Sequence, residues 1–203
     1  EKELLAAERR LKFDELFTLA LKTSYARREL ASLPTISIPF AEEETKALVA
    51  ALPFQLTQAQ RRASWEILQD LGKEHPMNRL LDGDVGSGKT IVAVIAAVNA
   101  ARAKAQTAIL APTTILARQH FQTFSRWLMP FGIRIGFLIA QEAHLAGDAG
   151  AEACSRRDFL KKLRAGEIDV IIGTHALLRE NIRFARLALA VVDEQHRFGV
   201  EDR

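Results

Sequence analysis

The clearest chemistry in this chain lies in Gly83-Asp84-Val85-Gly86-Ser87-Gly88-Lys89-Thr90, which matches G-x-x-x-x-G-K-T. Glycines at 83, 86 and 88 let the backbone fold so closely that successive N–H groups can face phosphate oxygens. Asp84, Val85 and Ser87 fill the variable positions and contribute their backbone. Lys89 can reach β- and γ-phosphates, and the Thr90 hydroxyl can ligate Mg²⁺. ATP and Mg²⁺ are therefore the expected cofactors. A second constellation, Asp193-Glu194-Gln195-His196, follows the last apolar run. An acidic pair there suits a P-loop ATPase, with Asp193 holding Mg²⁺ through water and Glu194 orienting and deprotonating the attacking water. Lys89, Asp193 and Glu194 are the catalytic candidates.

These groups need elements to place them. The loop lies between an apolar run at Leu80-Leu81 and a helical pattern from Ile91 to Ala103, so a strand–loop–helix unit is expected. The helix would turn the positive end of its dipole toward the anion. Apolar runs at 107–111, 133–139, 169–172 and 187–192 then alternate with helical patterns over 112–128, 155–165 and 174–180. This alternation predicts an α/β fold, a mostly parallel sheet with helices on both faces. In such a sheet the strand C-termini share one edge, so Asp193 and Glu194 can converge with the phosphate loop. Gln141 to Ala153, rich in alanine, glycine and acidic residues, reads as a surface loop.

Thr57-Gln58-Ala59-Gln60 opens a helix predicted to reach Lys73. Thr57 and Gln60 have the spacing of a capping box. Equally, the Gln60 amide, donor and acceptor at once, could read the adenine edge, and spacing does not choose between the two. Phe54 could stack on the base or cover the core. Ala111-Pro112-Thr113-Thr114 and Gly173-Thr174-His175 each end a strand and start a helix, a geometry suited to the phosphates of a nucleic-acid strand. Residues 1–32 form a helical pattern with Leu4, Leu5, Leu11, Leu16, Leu19 and Ala20 able to share one face, expected to pack on a neighbour. Two prolines hold residues 33–40 extended, and a short helix over 41–51 follows. The domain boundary is placed near Pro53.

At 203 residues, 48 % hydrophobic and with a formal charge of +3, the chain suits one domain with a sizeable core plus an appendage. Its mildly basic balance permits a nucleic-acid partner. Cys154 is the single cysteine, which excludes an internal disulfide and a cysteine-based metal cluster, and the five histidines lack ligand spacing. With no signal peptide and no apolar run of 18 or more residues, the chain reads as cytoplasmic, with no membrane role. It begins without methionine and stops seven residues after His196, so it reads as a piece of a longer protein.

Several stretches together are specific. Leu52-Pro53-Phe54-Gln55-Leu56-Thr57, Pro76-Met77-Asn78-Arg79-Leu80-Leu81, Gly83 to Thr90, Gly173-Thr174-His175-Ala176-Leu177 and Asp193 to Val200 resemble the RecG family of superfamily 2 DNA helicases. That family remodels stalled forks and branch-migrates junctions at the expense of ATP. The resemblance runs from about residue 11 to the end and implies a RecA-like motor domain over 53–203, preceded by a helical linker over 1–52. It implies that Gln60 reads adenine, that Gln195 and His196 couple nucleotide to DNA, and that Pro112, Thr113, Thr114, Arg118, Gly173, Thr174 and His175 lie along the DNA backbone. Forked or branched DNA is the implied partner, together with a second motor domain and a wedge domain outside these residues. The related transcription-repair coupling translocases typically carry tyrosine at the position of Ser87 and glutamate at that of Gln195. A nucleotide-binding interaction module without turnover is the reading from another class, disfavoured by intact Lys89, Thr90, Asp193 and Glu194. Two departures from the family stand out. Asp82 replaces a usual glutamine, which weakens nucleotide binding if it points inward and means nothing if it points out. Ala140 to His144 replaces a short Thr-Gly-Ser turn that would touch DNA.

Overall fold

The computed structural model describes residues 2–84, 86–147, 150–179 and 181–194, without the side chains of 2–6, 27, 30 and 31. In chain order the elements are α1 (Lys2–Ser32), α2 (Glu42–Ala50), α3 (Gln58–Leu71), α4 (Lys89–Arg102), β1 (Gln106–Leu110), α5 (Thr114–Leu128), β2 (Ile135–Leu138), β3 (Ala143–Gly147), β4 (Gly150–Ala153), α6 (Arg156–Arg164), β5 (Val170–Gly173) and β6 (Leu187–Val192). The strands form one sheet in the order β4-β3-β2-β5-β1-β6. β2, β5, β1 and β6 run parallel, and β3 and β4 extend the sheet antiparallel to β2. The expected α/β architecture is present, with a mixed sheet between helical layers.

Alternation along the strands divides the core in two. Ile109, Ile135, Phe137, Val170 and Ile172 enter the larger core, which contains α3, α4 and α5. Ala108, Leu110, Leu138 and Ile171 face the other way, onto Phe159 and Leu163 of α6. The α4 helix is apolar around nearly its whole circumference and buried from Ile91 to Ala100 apart from Ala93, as a helix enclosed on all sides requires. At the end of β5 a side chain on Gly173 would collide with the Leu138 carbonyl of β2, so glycine is needed where these two strands close up.

Two buried amides fasten the layers. Asn99 of α4 donates to Thr45 Oγ1 at 3.0 Å and to the Ile95 carbonyl at 2.9 Å, and accepts from the Ala41 N–H at 2.7 Å. With Ile38, Leu48 and Leu52 in the same core, α2 is joined directly to the helix that follows the phosphate loop. Gln106 of β1 donates to the carbonyls of Leu163 and Ile168 and accepts from the N–H groups of Ala185 and Arg186, all within 2.7–3.0 Å. It thereby ties together the end of α6 and the approaches to β5 and β6.

Four local expectations are corrected. Gln141 to Ala153 is not a loop: β3 and β4 form a hairpin because β2 offers an unpaired edge, with Phe137 opposite His144 and Leu138 opposite Ala143. Edge pairing overrides the poor strand propensity of this segment. No strand precedes the phosphate loop; residues 76–84 are irregular, and Leu80 is 82 % exposed. A run of two leucines makes a strand only where a neighbour supplies ladder partners, and β6 pairs only with β1 among the described residues. α1 is helical, yet all its described side chains are exposed. Phe13, Phe17, Leu21 and Tyr25 fill the half opposite Leu11, Leu16 and Leu19, so there is no single apolar face to pack. Finally, the segment after β5 is one 3₁₀ turn, His175–Leu178, where a short helix to about Glu180 is expected; α3 ends at Leu71, close to the expected end. No described helix is long and apolar enough to cross a membrane.

Candidate nucleotide site

The phosphate loop turns on two glycines with left-handed backbone, Gly86 at φ +84° and Gly88 at φ +79°. Gly88 caps α4, so the helix starts at Lys89 with Thr90 in its first turn. The Ser87 N–H donates to the Asp84 carbonyl at 3.1 Å and closes the turn. Lys89 folds back over the loop, its Nζ donating to the Gly83 carbonyl and, at 3.1 Å, to that of Asp84. Asp82 is exposed, with Oδ1 accepting from the Gly83 N–H at 2.8 Å. Val85 lies outside the described residues.

Gln60 braces this loop. Its backbone N–H donates to Thr57 Oγ1 at 3.1 Å and its Oε1 accepts from the Thr57 N–H at 2.9 Å, so the capping box is formed. Its Nε2 also donates to the Ser87 carbonyl at 2.8 Å. A side chain at position 88 would collide with that Nε2, a second reason for glycine there. Phe54 is half exposed and meets Trp127 edge-on at 6.4 Å. With Leu52, Pro53, Leu56 and Arg61 it lines a cleft of about 500 Å³.

The acidic pair sits where β6 ends. The Asp193 N–H donates to the Leu110 carbonyl at 2.9 Å, continuing the β1–β6 ladder one residue past the strand. Its Oδ2 lies 2.7 Å from His120 Nε2, and Asp193 is held below the usual carboxylate range chiefly by this hydrogen bond, against the opposing effect of burial. The nearby charges of His120 and Lys89 and the backbone N–H of Glu194 lower it further. Lys89 has the smallest of these effects. Glu194 has φ +51°, a left-handed conformation unusual outside glycine. Gln195 and His196 lie outside the described residues.

The Thr90 hydroxyl and the Asp193 carboxylate are hard oxygen donors of the kind Mg²⁺ takes. Among the described residues no group of three or more His, Cys, Asp or Glu could cage a metal, so an ion here would draw its other ligands from phosphate and water.

The candidate DNA contacts follow the neighbouring strand ends. Thr113 is the N-cap of α5, accepting from the Leu116 N–H at 3.3 Å. Thr113, Thr114, Arg118 and His175 are exposed, Pro112 is partly covered, and Gly173 and Thr174 are buried. Arg118 lies over the Phe137 ring, 5.2 Å from its centroid, and pairs with Glu142, which also bonds His144 at 3.0 Å. Sequence reading missed both His120 and the hold of Glu142 on Arg118. Each joins residues far apart in the chain, and neither has a local pattern to betray it.

A P-loop sequence that caps α4, with an acidic pair just past a parallel strand of an α/β sheet, has the features of the P-loop helicase class of domains. Residues 57–203 match the DEAD/DEAH box helicase family, and the chain belongs to that family. It is similar to the ATP-dependent DNA helicase RecG of Haemophilus influenzae, 42 % identical over 97 % of this chain and 27 % of that protein. The Thermotoga maritima protein of the same name is 43 % identical over 97 % of the chain and 24 % of its own length. A solved structure described as RecG bound to a three-way DNA junction superposes with a TM-score of 0.82 and 40 % identity, covering 94 % of this chain and 25 % of that one. The chain thus spans about a quarter of the length of these relatives.

Proposed function

We propose that this chain is the ATP-binding motor domain of a RecG-type helicase that remodels forked or junction DNA. The proposal is supported by the G-x-x-x-x-G-K-T loop that caps α4 and by Asp193-Glu194 just past the end of β6, with the charge of Lys89 contributing slightly to the lowered pKa of Asp193. Lys89 would exchange its carbonyl partners for the β- and γ-phosphates, and the first-turn N–H groups of α4 would take phosphate oxygens. Thr90 and, through water, Asp193 would hold Mg²⁺, which when bound neutralises charge on the transferred phosphoryl. Glu194 would accept the proton of the attacking water. Phe54 and its cleft offer an apolar wall for the base, and the second lone pair and second N–H of the Gln60 amide could read the adenine edge.

Thr113, Thr114 and His175, which follow the ends of the paired strands β1 and β5, and Arg118 of α5 would follow a DNA backbone. Arg118 would leave Glu142 for a phosphate. Gln195 and His196 would couple the two functions. The proposed organisation is a linker over 1–52 and a motor over 53–203, working with a second motor domain and a wedge domain. The packing of α2 on α4 supports a linker that is fastened to the motor through its last helix.

Lys89→Ala is expected to weaken binding of Mg²⁺-ATP at least about tenfold, because its ammonium is the main point charge near the β/γ-phosphates. Titration with a fluorescent ATP analogue checks this, and undiminished affinity would sink the assignment.

A further inference from the structure

Asp193 is held from an unexpected direction. Its partner His120 belongs to α5, the helix whose N-cap is Thr113, at the candidate DNA contact. Seven residues separate the two positions, about two helical turns, so both lie on the same side of α5. The imidazole is fixed in turn by Phe124, one turn on, which meets it edge-on at 6.4 Å and is itself 1 % exposed. The His120 and Asp193 side chains are 14 % and 28 % exposed, so water competes little for their hydrogen bond. Asp193 is ionised and can only accept, hence His120 Nε2–H donates to it. A carboxylate just past a strand end has two side-chain torsions to fix. A donor on Oδ2 restrains both.

We infer that His120 is a positioning residue: it orients the Asp193 carboxylate for the metal-bound nucleotide and ties that carboxylate to the helix that faces DNA. The inference rests on the reading of Asp193 as the residue that holds Mg²⁺. α5 is then a rigid lever with the candidate DNA contact at its tip and the carboxylate on its side. Thr113 and Asp193 need no contact with each other. A shift of α5 on binding a strand moves the orienting donor.

The test uses the full-length protein and three variants, His120→Ala, His120→Gln and Asp193→Asn. Glutamine can place an amide donor near the position of the imidazole Nε2. The first readout is the Mg²⁺ concentration at half-maximal binding of a non-hydrolysable fluorescent ATP analogue, which needs no turnover. Removing the hydrogen-bond partner of a metal-site ligand typically weakens metal affinity about 10–100-fold. His120→Ala should therefore raise the Mg²⁺ midpoint about tenfold or more, and His120→Gln should recover most of the loss. The second readout is ATP hydrolysis with and without a forked duplex. His120→Ala should lower kcat in the presence of DNA while leaving the affinity for the duplex unchanged, and the glutamine variant should restore it. An unchanged Mg²⁺ midpoint in His120→Ala, with a raised one in Asp193→Asn, would overturn the positioning role alone. A loss that His120→Gln does not rescue, accompanied by a lower melting temperature, would assign His120 to packing and likewise overturn it. An unchanged midpoint in Asp193→Asn would overturn the metal reading underneath.

Discussion

Glu194→Gln in the full-length protein is expected to cut ATP turnover by about 10²–10⁴-fold, the usual contribution of a positioned general base. Nucleotide affinity should stay unchanged. The change is isosteric and preserves the left-handed turn that carries residue 194, so the side chain keeps its place and loses only its basicity. Lys89, Thr90 and Asp193, the residues proposed to hold the triphosphate, are untouched. Phosphate release measures the first effect, and the fluorescent analogue titration the second. Hydrolysis at the parental rate would mean that another group positions and deprotonates the water. Reduced affinity would place Glu194 in binding instead of chemistry.

Gln106→Leu should strongly destabilise the domain with almost no change in volume. The amide makes four hydrogen bonds to main-chain groups, and Gln106 is 3 % exposed. Leucine would remove the partner of two carbonyls and two N–H groups; the Leu163 carbonyl keeps the Gly166 N–H at 3.1 Å, and each group left without a partner costs about 1–3 kcal/mol. Such penalties do not add fully, and a loss of roughly 4 kcal/mol or more is expected, on the order of 10³-fold in the folding equilibrium. That is a large fraction of the ~5–15 kcal/mol that holds a domain together. The urea midpoint reads it directly. A midpoint within experimental error of the parent would mean that the stranded groups find water or one another. Asn99→Ala removes three such bonds and should give a smaller shift in the same experiment, on the order of 2 kcal/mol.

Much of the site was legible because its chemistry is carried by the backbone and by adjacent residues. Gly86 and Gly88 announce a turn that only glycine makes easily, Lys89 and Thr90 follow at once, and Asp193-Glu194 trail an apolar strand. The sheet between them was legible from the alternation of apolar runs and helices. What failed to show was non-local. The β3–β4 hairpin exists because β2 has an edge to share, and nothing in Ala143–Ala153 advertises that. Leu80-Leu81 looks like a strand, yet strand formation depends on a neighbour that composition cannot reveal. Gln60 had two readings of equal weight on spacing. The structure forms the capping box and adds the hydrogen bond to Ser87, a partner 27 residues away. His120 lies 73 residues from Asp193, on an element whose helical pattern gave no reason to single it out.

If the loop takes phosphate as proposed, the back-folded Lys89 makes it a site of internal competition. Its ammonium already has the carbonyls of Gly83 and Asp84 as acceptors, so a ligand does not simply add to the loop but has to outbid groups that are tethered there. A neutral molecule offers acceptors no better than a peptide carbonyl and gains nothing by the exchange. A polyphosphate offers formal charge, and charged acceptors form hydrogen bonds roughly twice as strong as neutral ones. The two carbonyls thus set a threshold that a ligand must exceed. Discrimination in favour of highly charged ligands then comes as much from what the lysine must give up as from what it finds.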